Sequence, residues 1–346
     1  MTALPRSLSG VQLVGHGGPE MLIWRDDIPV PRPGLGEVLV RVLAAGVKLT
    51  DLNTRTGWYG QGEGRAAGSA GAMAFPRPQG GDLCGRVVAL GADVQDVAIG
   101  AWVTCSTWQP EPTVRNPTAI AAIGSEFDGA FAQYCVVPAR HLYDVTGSSL
   151  SDIDIGAMPF ACGIAFNLIS RANVAVGERV LVTGASGGVG LAAVQLALLR
   201  GAEVTGQCSQ PKSQALRAAG AAVLDLAAKP RFRSFDVVID VVGGDGFEDR
   251  LEALRPGGRY ATLGAVGGPM IKGDLRTVYL NDLTLPGCTN QPREVFAGLV
   301  TIINTARIRP VMSKTCLLRT IGQAQADRAA GCHPGKLVLV QAEPQP

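Results

Sequence analysis

Apolar residues along this chain keep two different rhythms. Up to about residue 155 they gather in short runs set between glycines and prolines, and 11–14, 38–42, 101–105 and 131–137 each predict a strand. Residues 80–91 predict another, with a glycine-permitted turn at each end. Over 44–59 polar residues interleave with a helical pattern that stops at Gly57. Residues 61–74, rich in Gly, Ala and Ser, predict a surface loop, and the proline-bearing 108–124 has no clear period. This front section reads as a compact, partly barrel-like β domain.

From about Ile155 helical and strand patterns alternate: helix 156–170, strand 180–183, a second helix, strand 203–206, helix 214–219, then strands 222–224, 235–242 and 258–264. Alternation of this kind predicts a right-handed, doubly wound parallel sheet. Strand-like 284–288, helix 293–305 and strand 335–340 close the chain, the last expected to return to the front domain. The expected division is 1–155 with 293–346 for the β-rich domain and 156–292 for the α/β one.

The most informative stretch is Arg179 to Leu196. A buried-strand run, Val180 to Thr183, breaks into glycines and then into a helix of Ala, Leu and Val. At the turn stands Ala185-x-Gly187-x-x-Gly190, the dinucleotide fingerprint with alanine at its first glycine position. Such a turn must be tight, its backbone must come close to a pyrophosphate, and the helix must begin with unpaired N–H groups facing that anion. Gly184, Ala185, Ser186, Gly187, Gly188, Val189 and Gly190 are therefore expected cofactor-binding residues of a Rossmann half. Doubly wound sheets hold ligands at their carboxyl ends, which adds Val242, Gly264 and Val266.

In NAD-selective sheets an acidic residue ends the second strand and binds the ribose 2′-hydroxyl. Here the slot near Gly206 and Gln207 carries no carboxylate. Ser209 could donate a hydrogen bond and Lys212 a charge-assisted one to a 2′-phosphate, so NADPH is the expected cofactor. A solvated lysine at a helix start is the other reading of Lys212.

At 346 residues and 47% hydrophobic, the chain can bury two sizeable cores. A formal net charge of +2 with scattered basic residues gives no reason to expect nucleic acid or a membrane surface as partner. No apolar stretch approaches a membrane span and no signal-peptide pattern opens the chain. Eight cysteines without a C-x-x-C pair suggest buried thiols in a reducing cytoplasm.

These residues together resemble the medium-chain dehydrogenase/reductase superfamily, in its zinc-independent quinone oxidoreductase (zeta-crystallin-like) and enoyl reductase branch. Matching segments are Pro31-x-Pro33-Gly34-x-Gly36-Glu37-Val38, Gly46-Val47-x-x-x-Asp51, Gly81-Asp82-x-x-Gly85-x-Val87, Gly129 to Tyr134, Gly184 to Gly190, Asp236 to Asp240, Arg255 to Arg259 and Gly335 to Leu339. The resemblance runs over nearly the whole chain. It implies a GroES-like front domain, a homodimer paired through the strand at 284–288, and Lys336 among the cofactor contacts. Zinc-dependent relatives carry Cys where this chain has Lys48 and His-Glu where it has Gly81-Asp82, so no metal is expected. Cys162 lies near the third ligand position, offset, and reads as core.

The resemblance also sets the expected chemistry. Without a metal to polarise a simple carbonyl, hydride addition to a quinone, enone or enoyl thioester is the expected reaction, since the enolate formed is delocalised. Tyr59 falls where enoyl thioester reductases place a proton-donating tyrosine, and a residue of the cleft wall is the other, commoner reading. Lys48, Asp51 and Asn53 match the polar wall facing the nicotinamide. Lys48 could bind an oxyanion or a substrate carboxylate, or pair with Asp51 or Asp82. Trp58, Trp108 and Phe127 are candidates to line the substrate side. Alternative readings are a carbonyl reductase or dehydrogenase of secondary metabolism and a nucleotide-binding protein without enzymatic activity.

Overall fold

The computed structural model describes residues 4–58, 73–331 and 334–341. They divide into two compact units, Met1–Phe160 with Pro292–Pro346, and Ala161–Gln291.

The first unit is organised on the strand Glu37–Val47, whose side chains are buried at nearly every position because partners cover both of its faces. Among the described residues it lies in a seven-stranded sheet ordered Leu142–Asp144, Trp102–Cys105, Cys84–Leu90, Glu37–Val47, Lys336–Val340, Met312–Leu317, with Tyr134–Pro138 pairing the first half of Glu37–Val47. Register shifts at Leu39/Val40 and Val42/Ala44 interrupt the central strand's pairing with Cys84–Leu90, and irregularities of this kind bend a strand. The C-terminal strand Lys336–Val340 runs antiparallel to it, Leu337 opposite Val47 and Val340 opposite Ala44. Val38, Val40, Val42, Val87, Val103, Phe131, Leu337 and Leu339 form the core.

Three elements of this unit were not expected. Leu22–Pro29 pairs with Ser7–Leu13, and Met312–Leu317 pairs in parallel with Lys336–Val340. Both expose charged or polar positions, Arg25, Asp26 and Asp27 in the first and Lys314 and Thr315 in the second, so neither presents an apolar run. The stretch 108–124 contains a small hairpin, Trp108–Pro110 against Ile120–Ala122.

The second unit holds a five-stranded parallel sheet ordered Ala222–Asp225, Glu203–Cys208, Arg179–Val182, Phe235–Asp240, Leu254–Thr262. Strand order reverses between Arg179–Val182 and Phe235–Asp240, and a ligand crevice opens beyond the carboxyl ends at such a reversal. Thr284 and Gly287 bridge Arg259 and Thr262 singly, so 284–288 lies along the outer strand as two isolated bridges and not as the strand its sequence predicts. Leu181, Val238, Leu251, Leu254 and Tyr260 pack beneath the sheet. This is the doubly wound Rossmann sheet that the alternation predicts.

Candidate functional site

In the first unit the central strand runs straight into the helix Leu49–Arg55, with Lys48 at its N-cap. Asp51 closes the turn: its Oδ2 accepts the Lys48 backbone N–H at 2.8 Å, and its Oδ1 lies 2.9 Å from Lys48 Nζ. The two side chains are 4% and 5% exposed, so this is a buried ion pair. Gln79 Nε2 donates to the Asp51 carbonyl at 2.9 Å and holds the turn from below. Residue 81, a glycine, lies directly against the ammonium. A Cβ there would stand 2.6 Å from Lys48 Nζ and 2.4 Å from Thr107 Cγ2. The Phe160 ring faces Nζ at 5.5 Å, and Trp108 stands edge-on to Phe160 with centroids 5.4 Å apart.

Asp82 is fully buried and fully occupied. It meets Lys336 Nζ at 2.8 Å, accepts the Phe160 backbone N–H at 2.6 Å, and lies 3.2 Å from the Thr107 hydroxyl. Of the two carboxylates open to Lys48, Asp51 takes it and Asp82 takes Lys336. The four charges cancel. Lys336, expected as a cofactor contact, thus has its ammonium engaged by a carboxylate inside the first unit. Asn53 is half-buried two positions beyond Asp51, a spacing that directs the two side chains to different faces of the helix. Tyr59 lies outside the described residues. Sequence reasoning passed over Phe160, Thr107 and Gln79; the doublet Gly80-Gly81 ahead of Asp82 was the one signal that something presses close there.

A tetrahedral zinc site needs three protein donors of the Cys, His or carboxylate type. The ammonium of Lys48 and the bare Gly81 supply none, and among the described residues no three His, Cys, Asp or Glu side chains converge. Cys162 is buried on the helix Pro159–Arg171, 3% exposed. The residues present do not fit a zinc ion.

In the second unit the turn after Arg179–Val182 leads into the helix Gly188–Leu199, capped by Gly187 in an extended conformation without a side-chain cap. The first-turn N–H groups of such a helix have no intrahelical partner and meet an anion with the positive end of its dipole. Gly187 N–H closes the turn on the Gly184 carbonyl at 3.0 Å. Gly190 is required by contact: a Cβ there would stand 2.2 Å from the Gly184 oxygen and 2.6 Å from Ala185 Cα. Ala185 is wholly buried, while Gly184, Ser186, Gly187, Gly188 and Val189 are partly open. Backbone and charge here suit a pyrophosphate.

Beside this turn, the Gly267 N–H donates to the Val242 carbonyl at 2.8 Å, which ties the segment carrying Gly264 and Val266 to the end of Phe235–Asp240. Val266 is 70% exposed. At the end of Glu203–Cys208, Gln207 fills the acidic slot with a neutral amide whose Nε2 donates to the carbonyls of Leu226 and Ala228 at 3.3 and 3.1 Å. Ser209 and Lys212 share one turn, with the Lys212 N–H on the Ser209 carbonyl at 3.0 Å.

A parallel sheet with a glycine turn at its strand reversal, on the same chain as a barrel-like β domain, defines a nucleotide-dependent oxidoreductase architecture. Residues 34–147 match the alcohol dehydrogenase GroES-like domain, and 188–305 match the zinc-binding dehydrogenase domain. The solved structure of an alcohol-dehydrogenase-like protein from Sinorhizobium meliloti is 37% identical, covers 99% of each chain and superposes with a TM-score of 0.90. Acryloyl-coenzyme A reductase of Metallosphaera sedula is 28% identical over 85% of this chain and 89% of its own. Quinone oxidoreductase of Mus musculus is 25% identical, with 96% and 98% covered. The chain belongs to the medium-chain dehydrogenase/reductase superfamily and is an oxidoreductase.

Proposed function

We propose that this protein is an NADPH-dependent, zinc-independent reductase of conjugated carbonyl compounds: enones, enoyl thioesters or quinones. The observation that carries the reading is Lys48. Its ammonium is buried, and among the described residues its one oxygen partner is Asp51. An ammonium has three N–H donors, so donors remain for an arriving oxygen.

Bound NADPH would supply a hydride to the β-carbon of the acceptor. As that bond forms, the electron pair of the double bond moves toward the carbonyl oxygen, and Lys48 donates to this oxygen as its charge develops. A donor held in place before the charge appears favours the transition state over the bound ground state. Because Asp51 already balances Lys48, a neutral carbonyl gains more here than a free carboxylate, which would compete with Asp51 for the same ammonium. Tyr59 is the proposed donor of the proton that completes the α-carbon. Phe160 and Trp108 are the proposed apolar wall for the unsaturated chain. The names of the relatives, a reductase of an enoyl thioester and a quinone oxidoreductase, point to the same class.

On the nucleotide side, the fingerprint residues Gly184 to Gly190 with Val242, Gly264 and Val266 are the proposed cradle. Ser209 and Lys212 are the proposed 2′-phosphate contacts. We further propose a homodimer formed through the outer segment at 284–288, near which Tyr279, Leu280 and Leu285 are exposed, in the reducing cytoplasm that seven described cysteines without a disulfide suit. The test is a titration with NADPH and NADH followed by loss of reduced-nicotinamide absorbance with a quinone, an enone and an enoyl thioester. Oxidation of NADPH by at least one is expected. Turnover confined to simple alcohols or aldehydes and dependent on added zinc would refute the proposal.

A further inference from the structure

Under the carboxyl edge of the sheet in the second unit lies a polar network that none of the chemistry above uses. Asp240, 1% exposed, ends the strand Phe235–Asp240. Its Oδ1 accepts the Thr183 hydroxyl at 2.5 Å and the backbone N–H groups of Val242 and Gly243 at 2.9 and 3.2 Å. Its Oδ2 accepts the Tyr260 hydroxyl and lies 3.6 Å from Arg250 Nη2. Arg250, 6% exposed, donates through Nε to the Tyr260 oxygen at 3.1 Å, and through Nη2 and Nη1 to the carbonyls of Gly243 and Asp245 at 2.9 and 3.2 Å.

One carboxylate and one guanidinium therefore grip the same short segment from both sides, Asp240 through its N–H groups and Arg250 through its carbonyls. The segment is also pressed against the fingerprint turn: a Cβ on Gly184 would stand 2.9 Å from Val242 Cγ2. Thr183, whose hydroxyl reaches Asp240, immediately precedes that turn. Burial, with Asp240 beside it, pushes the Tyr260 phenol well above its ordinary range, so its hydroxyl stays a donor at any working pH. A second consequence is electrostatic. An unbalanced buried carboxylate at this edge would repel a pyrophosphate, and Arg250 cancels it.

We propose that Arg250, Tyr260 and Asp240 are positioning residues that hold the 241–245 segment against the fingerprint turn and thereby set affinity for the dinucleotide. The inference rests on the nucleotide-binding reading above and adds to it three residues that touch no ligand.

The test uses Tyr260→Phe, which keeps the ring and deletes only the hydroxyl, with Arg250→Met and Arg250→Lys. Nucleotide fluorescence gives the NADPH dissociation constant, thermal melts without nucleotide give stability, and steady-state rates separate KM from kcat. Tyr260→Phe should weaken NADPH binding about tenfold, raise KM for NADPH alike and leave kcat at saturation unchanged, the loss of one hydrogen bond to a charged group. Arg250→Met should weaken binding further, and Arg250→Lys should recover part of it by restoring the charge. If Tyr260→Phe melts lower yet binds NADPH as tightly as the parent, the network only holds the core and the inference is overturned. Should the parent itself bind neither NADPH nor NADH, the nucleotide reading falls and takes this inference with it.

Discussion

Replacing Lys48 separates what its ion pair does for the fold from what it does for the reaction. At 2.9 Å from Asp51, and with an effective dielectric of about 20, the gross attraction is about 6 kcal/mol. Desolvation of two buried charges offsets most of it, so the intact pair adds little net stability. Removing one partner is another matter. In Lys48→Met the Asp51 carboxylate keeps the backbone N–H of residue 48 but loses its cation, at a cost of about 3–5 kcal/mol. Adding Asp51→Asn removes the orphaned charge while its amide oxygen still accepts that N–H, so the double variant should regain most of the lost stability. Turnover should not return with it. Losing one donor to a developing oxyanion lowers kcat by about 10²–10³-fold, and neither a thioether nor a neutral amide replaces an ammonium. Thermal melts and saturating-substrate kinetics on the two single variants and the double variant make the comparison. A double variant that melts like the parent and turns over within about tenfold of it would refute a role for Lys48 at the carbonyl oxygen.

Three further outcomes follow from the geometry. Gly190→Ala places a Cβ 2.2 Å from the Gly184 oxygen, so the helix start must move; NADPH binding by fluorescence should vanish while the first unit keeps its melting transition. Lys212→Ala should weaken NADPH about tenfold or more by isothermal titration and leave NADH unchanged, the worth of a charge-assisted hydrogen bond to a phosphate. Burial lowers the His141 pKa below 6.5, and the 2.9 Å contact to Glu111 only partly opposes this. The folded chain therefore resists protonation that the unfolded chain accepts, so stability is complete above pH 6.5 and declines as pH falls below it; His141→Gln should flatten that slope in a melting-temperature profile.

The fold was legible wherever burial leaves a one-dimensional trace. Val180 to Thr183 and Phe235 to Asp240 are covered on both faces, so they read as apolar runs, and the glycines between strand and helix mark the turn. Leu22–Pro29 left no such trace, because a strand at the margin of its sheet buries no position fully and exposes Arg25, Asp26 and Asp27 in succession. The site divides in the same way. Gly190 and Gly187 announce themselves because the backbone constraint is local to the turn. The partner of Lys48 does not: Asp51 is three residues away and Asp82 thirty-four, and only the fold decides that the second carboxylate is claimed by Lys336 from the far end of the chain. Phe160 and Thr107 are placed by tertiary packing alone.

The two buried ion pairs are not equivalent, and the difference explains why one suits a scaffold and the other chemistry. Asp82 accepts from an ammonium and a backbone N–H and has a hydroxyl within reach, so moving Lys336 would disturb a carboxylate already pinned from several sides. Asp51 is pinned once, by the N–H of the residue whose side chain it also holds. That backbone bond persists whichever way the Lys48 ammonium leans, so the ammonium can share itself with a second oxygen without leaving Asp51 unpaired. The price of recruiting it is a small rotation on one side of a neutral pair. Gly81 adds no Cβ beside the ammonium, whereas a Cβ there would stand 2.6 Å from Nζ where it now lies.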